Sequence, residues 1–236
     1  MKKDINLQEA YVLHYRPYRE TSLLVDLLTQ YEGRICVIAK GARRPKSPFK
    51  GLLQPFISLE AAWVGRGDLP TLRVAEAYGE LIKLSGNLSF SGFYLNELLM
   101  RVLHRHDSCE RIFFLYKNTL KELSEDFNLE ILLRKFERQL LDELGYGLQF
   151  SRDANTNQLI EEGGEYSFMP NNGFTLVSLA GSLQAKQTIF SGDHLLAIAD
   201  NDYQDKEVLQ SAKRLMRLAL RPLLGDRPLK SRELFF

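Results

Sequence analysis

The first 80 residues alternate short apolar runs with turn-forming residues, a pattern that is typical of β-structure. Runs rich in β-forming side chains cover five segments, 9–15, 21–29, 34–40, 55–64 and 71–78. Five short strands are too few for a typical two-sheet sandwich, but they suit a small barrel that closes its own edges. We therefore predict a five-stranded barrel in this part of the chain.

From residue 88 the spacing of apolar side chains becomes helical. Apolar positions three or four residues apart predict helices over the segments 95–102, 112–123, 129–144, 194–200 and 205–224. Between the third and fourth of these helices the chain is irregular, and its Pro-Asn-Asn-Gly turn predicts one β-hairpin.

Together these patterns predict a multidomain α+β protein. A barrel domain would occupy residues 1–80, and a helical domain would combine 81–146 with 179–236. A small irregular hairpin region would lie at 147–178.

Composition and charge restrict the class of protein. With 44% apolar and 26% charged residues the chain is typical of soluble globular proteins, and no apolar run reaches the length of a membrane span. The N-terminus lacks the apolar region of a signal peptide, and the two cysteines, Cys36 and Cys109, lie far apart. We therefore expect a cytoplasmic protein without disulfides and without a membrane partner. The net charge is +3 over 1–80, −7 over 81–212 and +5 over 213–236, which permits a polyanion to bind at defined surfaces.

The sequence contains none of the common catalytic motifs. A G-x-S-x-G elbow, a G-x-x-x-x-G-K-[ST] phosphate loop and an H-E-x-x-H metal motif are all missing. The run from His104 to Glu110 has metal-compatible side chains, but its spacing matches no common zinc motif. We predict no catalytic residues, no metal and no cofactor, and hence no enzyme.

A strongly basic segment, residues 40–50 (KGARRPKSPFK), lies between the third and fourth predicted strands, and we call it the basic loop. Between Gly33 and Leu59 the chain has no acidic residue and six basic ones, Arg34, Lys40, Arg43, Arg44, Lys46 and Lys50. A cluster of one sign repels itself unless a counter-charge is bound. These cations, with Phe49, Phe56 and three tyrosines nearby, favour binding of a single nucleic-acid strand through phosphates and stacked bases. The alternative is a solvated loop whose aromatic side chains belong to the core.

A second group of cations, Lys213, Arg214, Arg217 and Arg221, lies on the last predicted helix, opposite its apolar stripe. Like charges four residues apart on a helix are destabilising. A phosphate backbone would relieve the repulsion, and so would acidic residues from the middle of the chain. Both explanations remain open from the sequence, and we include the four residues among the predicted DNA contacts.

Two stretches resemble a known family. The segment KGARRPKSPFKGLLQPF (40–56), after a predicted hairpin and before strands and helices, resembles the bacterial RecO recombination-mediator family. The closing RPLLGDRPLKSREL (221–234) is similar to the C-terminus of that family, so the resemblance spans nearly the whole chain.

The resemblance implies an N-terminal OB-fold barrel, an α-helical bundle and a small irregular region. It also implies a bacterial, nucleoid-associated protein that binds single- and double-stranded DNA and anneals complementary strands. Such proteins work with RecR to load RecA on DNA covered by single-strand-binding protein during recombinational repair. Some members hold zinc with four cysteines after the third helix, but residues 145–178 contain no cysteine, so no metal is implied here.

The resemblance further implies recognition of the acidic, apolar-ended tail of single-strand-binding protein. Such a tail needs an apolar notch beside cations. Arginines one turn apart suggest two places for it, Arg134 with Arg138 on the third helix and Arg101 with Arg105 on the first. Pairing of Arg134 with Glu130 or Glu137 within the helix is the competing interpretation. For the protein as a whole, the alternative function is an RNA-binding or translation-associated OB-fold module.

Overall fold

Five strands close into a barrel at the N-terminal end of the chain. The structure is a computed structural model that describes residues 6–65, 67–79, 82–125, 128–177 and 186–235. The strands are β1 (Gln8–Tyr18), β2 (Ser22–Thr29), β3 (Gly33–Ala39), β4 (Ser58–Val64) and β5 (Thr71–Ala77). They lie in the order β1-β2-β3-β5-β4, with β4 pairing back onto β1. The predicted five-stranded barrel of OB-fold type is confirmed.

The barrel is filled by the inward-facing side of each strand. Val12, Val25 and Val37 are fully buried, and each alternates with neighbours that point away from the barrel interior. Closure depends on one parallel contact, between Ile38 of β3 and Thr71 of β5. Each of the five strands has two neighbours in the sheet, although β3 and β5 share only this one register pair.

Two helices pack on the barrel and belong to the same compact unit, α1 (Asn87–Val102) and α2 (Glu110–Ser124). A register shift in β1 between Val12 and His14 interrupts its ladder with β2. The amide of Asn96 on α1 donates to the carbonyl oxygens of Val12 and Leu13 there, and the Tyr116 hydroxyl on α2 donates to Asn96 Oδ1. These buried hydrogen bonds tie both helices to the same place on β1.

The chain divides into two compact units, 1–127 with 229–236 and 128–228. The second unit contains α3 (Leu129–Glu143), α4 (Gly192–Ala199) and α5 (Lys206–Leu224). It also contains a small sheet of β6 (Glu165–Met169), β7 (Gly173–Leu176) and β8 (Ile189–Ser191), in the order β7-β6-β8. The predicted hairpin is β6–β7. The three residues of β8 are too few to give a period in the sequence. Within the described residues, no helix is both long and apolar enough to cross a bilayer.

The irregular region of the second unit is organised by one buried carboxylate. Asp153 Oδ1 accepts hydrogen bonds from the backbone N–H groups of Asn155 and Thr156, at 2.8 and 2.7 Å, and from the Thr156 hydroxyl. Its Oδ2 accepts from the N–H of Leu176 at the end of β7. Burial alone would raise the pKa of Asp153, but the hydrogen bonds from Thr156, Leu176 and Asn155 outweigh it and hold that pKa below its ordinary value.

We expect Asp153→Asn to destabilise the second unit by about 2–3 kcal/mol, because the amide group presents a donor where the carboxylate accepted hydrogen bonds. The lowered pKa means that the carboxylate contributes stability above its ordinary pKa and loses it as the pH falls through the folded-state value. Urea unfolding should therefore show a difference between wild type and variant that is full at pH 6 and shrinks below about pH 4. Asp226→Asn, at an exposed turn of the same unit, is the matched control. A difference that does not change with pH would contradict this role.

Candidate nucleic-acid interface

The basic loop follows β3 and consists of successive tight turns. The N–H groups of Arg44, Ser47 and Lys50 each donate to the carbonyl oxygen three residues earlier, at 3.0, 3.1 and 3.2 Å. Gly41 has φ +69, in the left-handed region that favours glycine, and begins this series. The turns hold successive side chains in defined directions, although the segment is neither helix nor strand.

Apolar side chains at the end of the basic loop and just after it anchor the segment to the first unit. Phe49 and Leu53 are 8% and 4% exposed and pack in the barrel core. Phe56 is also buried, and its ring lies 5.1 Å from that of Phe93 on α1. A Cβ at Gly92 would lie only 2.6 Å from the Phe56 ring, so the glycine permits this approach. Base stacking by Phe49 and Phe56, which the sequence suggested, is therefore wrong, since both rings belong to the core.

The cations of the loop point outward. Lys40, Arg43, Arg44, Lys46 and Lys50 are all exposed. None of the five forms an ion pair with any residue that the structure describes. The loop therefore carries concentrated positive charge whose counter-charge must come from solution or from a ligand.

Arg43 joins the basic loop to the turn between β1 and β2. The guanidinium of Arg43 donates to the carbonyl oxygens of Arg19 and Glu20, at 3.4 and 3.1 Å. The backbone N–H of Arg43 donates to the carbonyl oxygen of Thr21. Arg19 is itself exposed and lies over the Tyr18 ring, 5.3 Å from its centroid. We call Arg19 and the five loop cations the cationic barrel end. Sequence reasoning missed Arg19 because 24 positions separate it from Arg43.

Arg34, predicted among the DNA contacts, lies elsewhere in the first unit. Its Nη2 is 3.1 Å from Asp26 Oδ1, and its Nη1 donates to the carbonyl oxygens of Met100 and Leu103 at the end of α1. Its side chain is only 13% exposed. These contacts favour a structural role that fixes the end of α1 to the barrel, so Arg34 is not part of the cationic barrel end.

The four cations of α5 have different surroundings within the second unit. Lys213 pairs with Glu130 at 3.2 Å. Arg214 donates to the carbonyl oxygen of Ile189 and stacks 4.4 Å from the Phe190 centroid, and burial lowers its pKa. Arg217 and Arg221 are exposed. The structure thus shows an acidic partner for one of the four and leaves two open to a ligand.

The arginine pair on α3 is largely engaged inside the second unit. Arg134 is 6% exposed and pairs with Glu137 at 2.7 Å, which confirms the intrahelical alternative. Arg138 donates to the carbonyl oxygens of Ile198 and Ala199, where its charge complements the C-terminal end of α4. Arg101 is half-buried on α1, but this helix ends at Val102 and Leu103 is extended, so Arg105 does not lie one turn after Arg101 on the same helix as the sequence predicted. Arg105 is 43% exposed and lies 3.9 Å from Asp26.

One cavity brings Arg134 together with other cations. It has a volume of about 400 Å³ and lies between the first turn of α3 and the N-terminal half of α5. Its lining includes Arg134, Tyr203, Lys206, Leu209 and Lys213. Glu130 also lines the cavity and pairs with Lys213, and Arg134 pairs with Glu137, whereas Lys206 has no ion pair with a described residue. Cations beside an apolar side chain and an aromatic ring can hold a carboxylate next to an apolar group.

No group of three or more histidine, cysteine or acidic side chains among the described residues could hold a metal ion. Burial and the nearby Asp107 raise the pKa of Cys109 to about 11, so this thiol stays protonated at neutral pH. His104 and His106 are both exposed.

Comparison with known proteins gives matches over both parts of the chain. The family model "Recombination protein O N terminal" matches residues 1–80, and "Recombination protein O C terminal" matches 85–233. Similar curated proteins carry the name DNA repair protein RecO. The one from Glaesserella parasuis serovar 5 (strain SH0165) is 46% identical over 229 residues, which are 97% of this chain and 94% of the relative. The one from Coxiella burnetii (strain RSA 331 / Henzerling II) is 44% identical over 236 residues and the full length of both. The one from Yersinia pestis (strain Pestoides F) is 45% identical over 229 residues, 97% of this chain and 93% of the relative.

Two adjoining family models together cover almost the whole chain, and full-length relatives share nearly half of its residues. The closed barrel and the helices that follow it fit this match. The chain therefore belongs to the recombination protein O (RecO) family of DNA repair proteins.

Proposed function

We propose that this chain binds single-stranded DNA at its cationic barrel end and anneals complementary strands during recombinational repair. The observation that supports this most directly is the basic loop, whose five cations are exposed while Phe49 at its end and Phe56 just after it are buried. A loop that is anchored by Phe49 and Phe56 loses little entropy when a ligand binds, so its charges are already arranged for a phosphate backbone.

Annealing requires two polyanions to approach each other. Cations that neutralise phosphates release counterions from each strand and lower that electrostatic barrier without any covalent chemistry. The cationic barrel end would take one strand. The exposed Arg217 and Arg221 of α5 offer a separate positive surface for a second strand or for duplex DNA. This mechanism requires no nucleotide and no metal.

Membership in the RecO family motivates a proposal for the partners. We propose that the chain works with RecR to help load RecA on DNA covered by single-strand-binding protein. The decisive experiment is annealing of complementary strands coated with the cognate single-strand-binding protein, comparing wild type with an Arg44, Lys46 and Lys50 to alanine triple variant. Arg43 is kept because it also holds the β1–β2 turn. Unchanged annealing by the variant would refute the proposed site, and equal competition by RNA would favour the RNA-binding alternative.

We also propose that the cavity at Arg134 receives the acidic, apolar-ended tail of single-strand-binding protein. The tail carboxylates would meet Lys206, Lys213 and Arg134, and its apolar end would lie against Leu209 and Tyr203. Arg134 Nε is buried and has no hydrogen-bond acceptor among the described residues, so a carboxylate in the cavity would supply one.

We expect Lys206→Glu with Lys213→Glu to weaken binding of a tail peptide about 10-fold or more, because each reversal places a like charge beside the peptide carboxylates. Fluorescence anisotropy with a labelled peptide measures this. Arg134 is left unchanged, since its removal would strand the buried Glu137 carboxylate. Arg101→Ala with Arg105→Ala is the comparison variant. If the Arg101 and Arg105 variant weakens binding of the tail peptide and the Lys206 and Lys213 variant does not, the tail binds near the end of α1 instead.

A further inference from the structure

The outer wall of the barrel carries a second group of cations that the proposed function does not use. On β1–β3, residues directly opposite each other form rows across the sheet. One row contains His14, Asp26 and Cys36, and the next contains Arg16, Leu24 and Ile38. Val25 and Val37, between these rows, point into the core, so both rows lie on the outer side.

Positive charge exceeds negative charge on this wall. Asp26 is 6% exposed and is already bound by Arg34 at 3.1 Å. Arg105 approaches the same carboxylate only to 3.9 Å, and its side chain remains 43% exposed. Arg16, in the neighbouring row, is exposed and has no ion pair with a described residue. Arg34 therefore occupies the Asp26 carboxylate, and the guanidinium groups of Arg16 and Arg105 remain open to solvent.

Arg105 is held on the wall by the backbone. The N–H of His106 donates to the carbonyl oxygen of Arg34 at 2.9 Å, and residues 34 and 105 form an isolated β-bridge. His106 has φ +60, a left-handed conformation that turns the chain there and leaves His104 and His106 exposed on either side of Arg105. On β3, Cys36 lies between residue 34, which is bridged to Arg105, and Ile38, which is in the row of Arg16. The two arginines therefore flank Cys36 on the wall, and both lower the pKa of its thiol, which burial raises.

The wall cations lie next to the cationic barrel end. Arg16 lies on β1 and Arg19 follows three residues later in the β1–β2 turn, so no more than about 11 Å of backbone separates them. Tyr18 lies between them and is only half-buried, so its ring can contact a base. Glu20 is the one acidic residue in the β1–β2 turn, and Arg43 binds its backbone carbonyl. A strand bound at the barrel end can therefore continue over Tyr18 onto the wall.

We propose that Arg16 and Arg105 form a phosphate-binding site on the outer wall of β1–β3, which receives the continuation of the single strand bound at the cationic barrel end. The inference rests on the proposed DNA-binding function and extends it by naming the face of the barrel along which the strand runs. It also assigns Arg105 to DNA binding, whereas the sequence suggested that this residue binds the tail of single-strand-binding protein.

The test uses oligonucleotide length. A strand of about 4 nucleotides fits the barrel end alone, whereas one of about 16 nucleotides reaches the wall as well. Arg16→Ala with Arg105→Ala should leave the affinity for the short oligo(dT) unchanged. For the long one, the slope of log K against log salt should become less negative by about 1.4, a loss of about 25-fold at 0.1 M salt. Arg16→Lys with Arg105→Lys should retain most of the slope, since the charge remains.

The matched control removes two exposed cations from the same unit, Lys83→Ala with Lys121→Ala, and should not change the slope for either length. Equal loss on short and long strands, or no loss on the long one, would overturn the wall site. Loss of tail-peptide binding without loss of DNA binding would also overturn it, in favour of a peptide site. Failure of the proposed function looks different, because variants of the basic loop would then leave both lengths unaffected.

Discussion

Replacing Lys40, Arg44, Lys46 and Lys50 by alanine should weaken binding of single-stranded DNA by about two to three orders of magnitude at 0.1 M salt. All four side chains are exposed and none has an ion-pair partner among the described residues. If each neutralises one phosphate, the slope of log K against log salt attributable to them is about −3 on a single strand. The variant should lose that slope, and its affinity should approach that of wild type only near 1 M salt.

The fold should tolerate these changes, because the apolar anchors Phe49, Leu53 and Phe56 are untouched. Arg43 also stays, so the contact with the β1–β2 turn remains. The matched control replaces four exposed cations elsewhere in the chain, Lys83, Arg111, Lys121 and Lys135. Fluorescence anisotropy over a range of salt concentrations measures all three proteins. A control that loses as much affinity as the variant would show that only net charge matters and that the basic loop is not a defined site.

The barrel could be predicted from the sequence because its signal is local. Each strand carries its own apolar run, and turn residues such as Gly33 mark where it ends. The basic loop could be predicted for the same reason, since a run of one charge without acidic residues is visible in the chain itself. The structure confirms the barrel and shows those loop cations exposed.

What could not be predicted is which cations and rings are already engaged. Arg34 lies in the same run as Lys40, but its guanidinium meets the carbonyl oxygen of Met100, 66 positions away. Phe49 and Phe56 lie beside the cations in sequence, yet both are buried. Conversely, Arg16 and Arg19 join the positive surface only because the β1–β2 hairpin brings them there. The sequence gives the number and order of the charged residues. Which of them are exposed depends on contacts with residues far away in the sequence.

Arg34 allows the two roles to be separated by experiment. We expect Arg34→Met to destabilise the first unit by about 3–5 kcal/mol. The substitution leaves Asp26 buried with only Arg105 at 3.9 Å, and it removes the donor to the Met100 and Leu103 carbonyl oxygens at the end of α1. Burying a carboxylate without a close partner is costly, whereas methionine fills a similar volume. Urea unfolding followed by the fluorescence of Trp63, in β4, reports on this unit.

Two further variants distinguish a structural role for Arg34 from a DNA contact. Arg105→Met should cost less than about 1 kcal/mol, because its pair with Asp26 is long and partly solvated. Asp26→Asn combined with Arg34→Met should recover part of the loss, since no buried charge is then left without a partner. If Arg34 acts only inside the fold, Arg34→Met protein that is still folded at low temperature should bind single-stranded DNA nearly as wild type does. The opposite result would be an Arg34→Met variant that has the same urea midpoint as wild type but binds single-stranded DNA much more weakly. In that case Arg34 contacts DNA as the sequence indicated, and its bonds to Asp26 and α1 contribute little to stability.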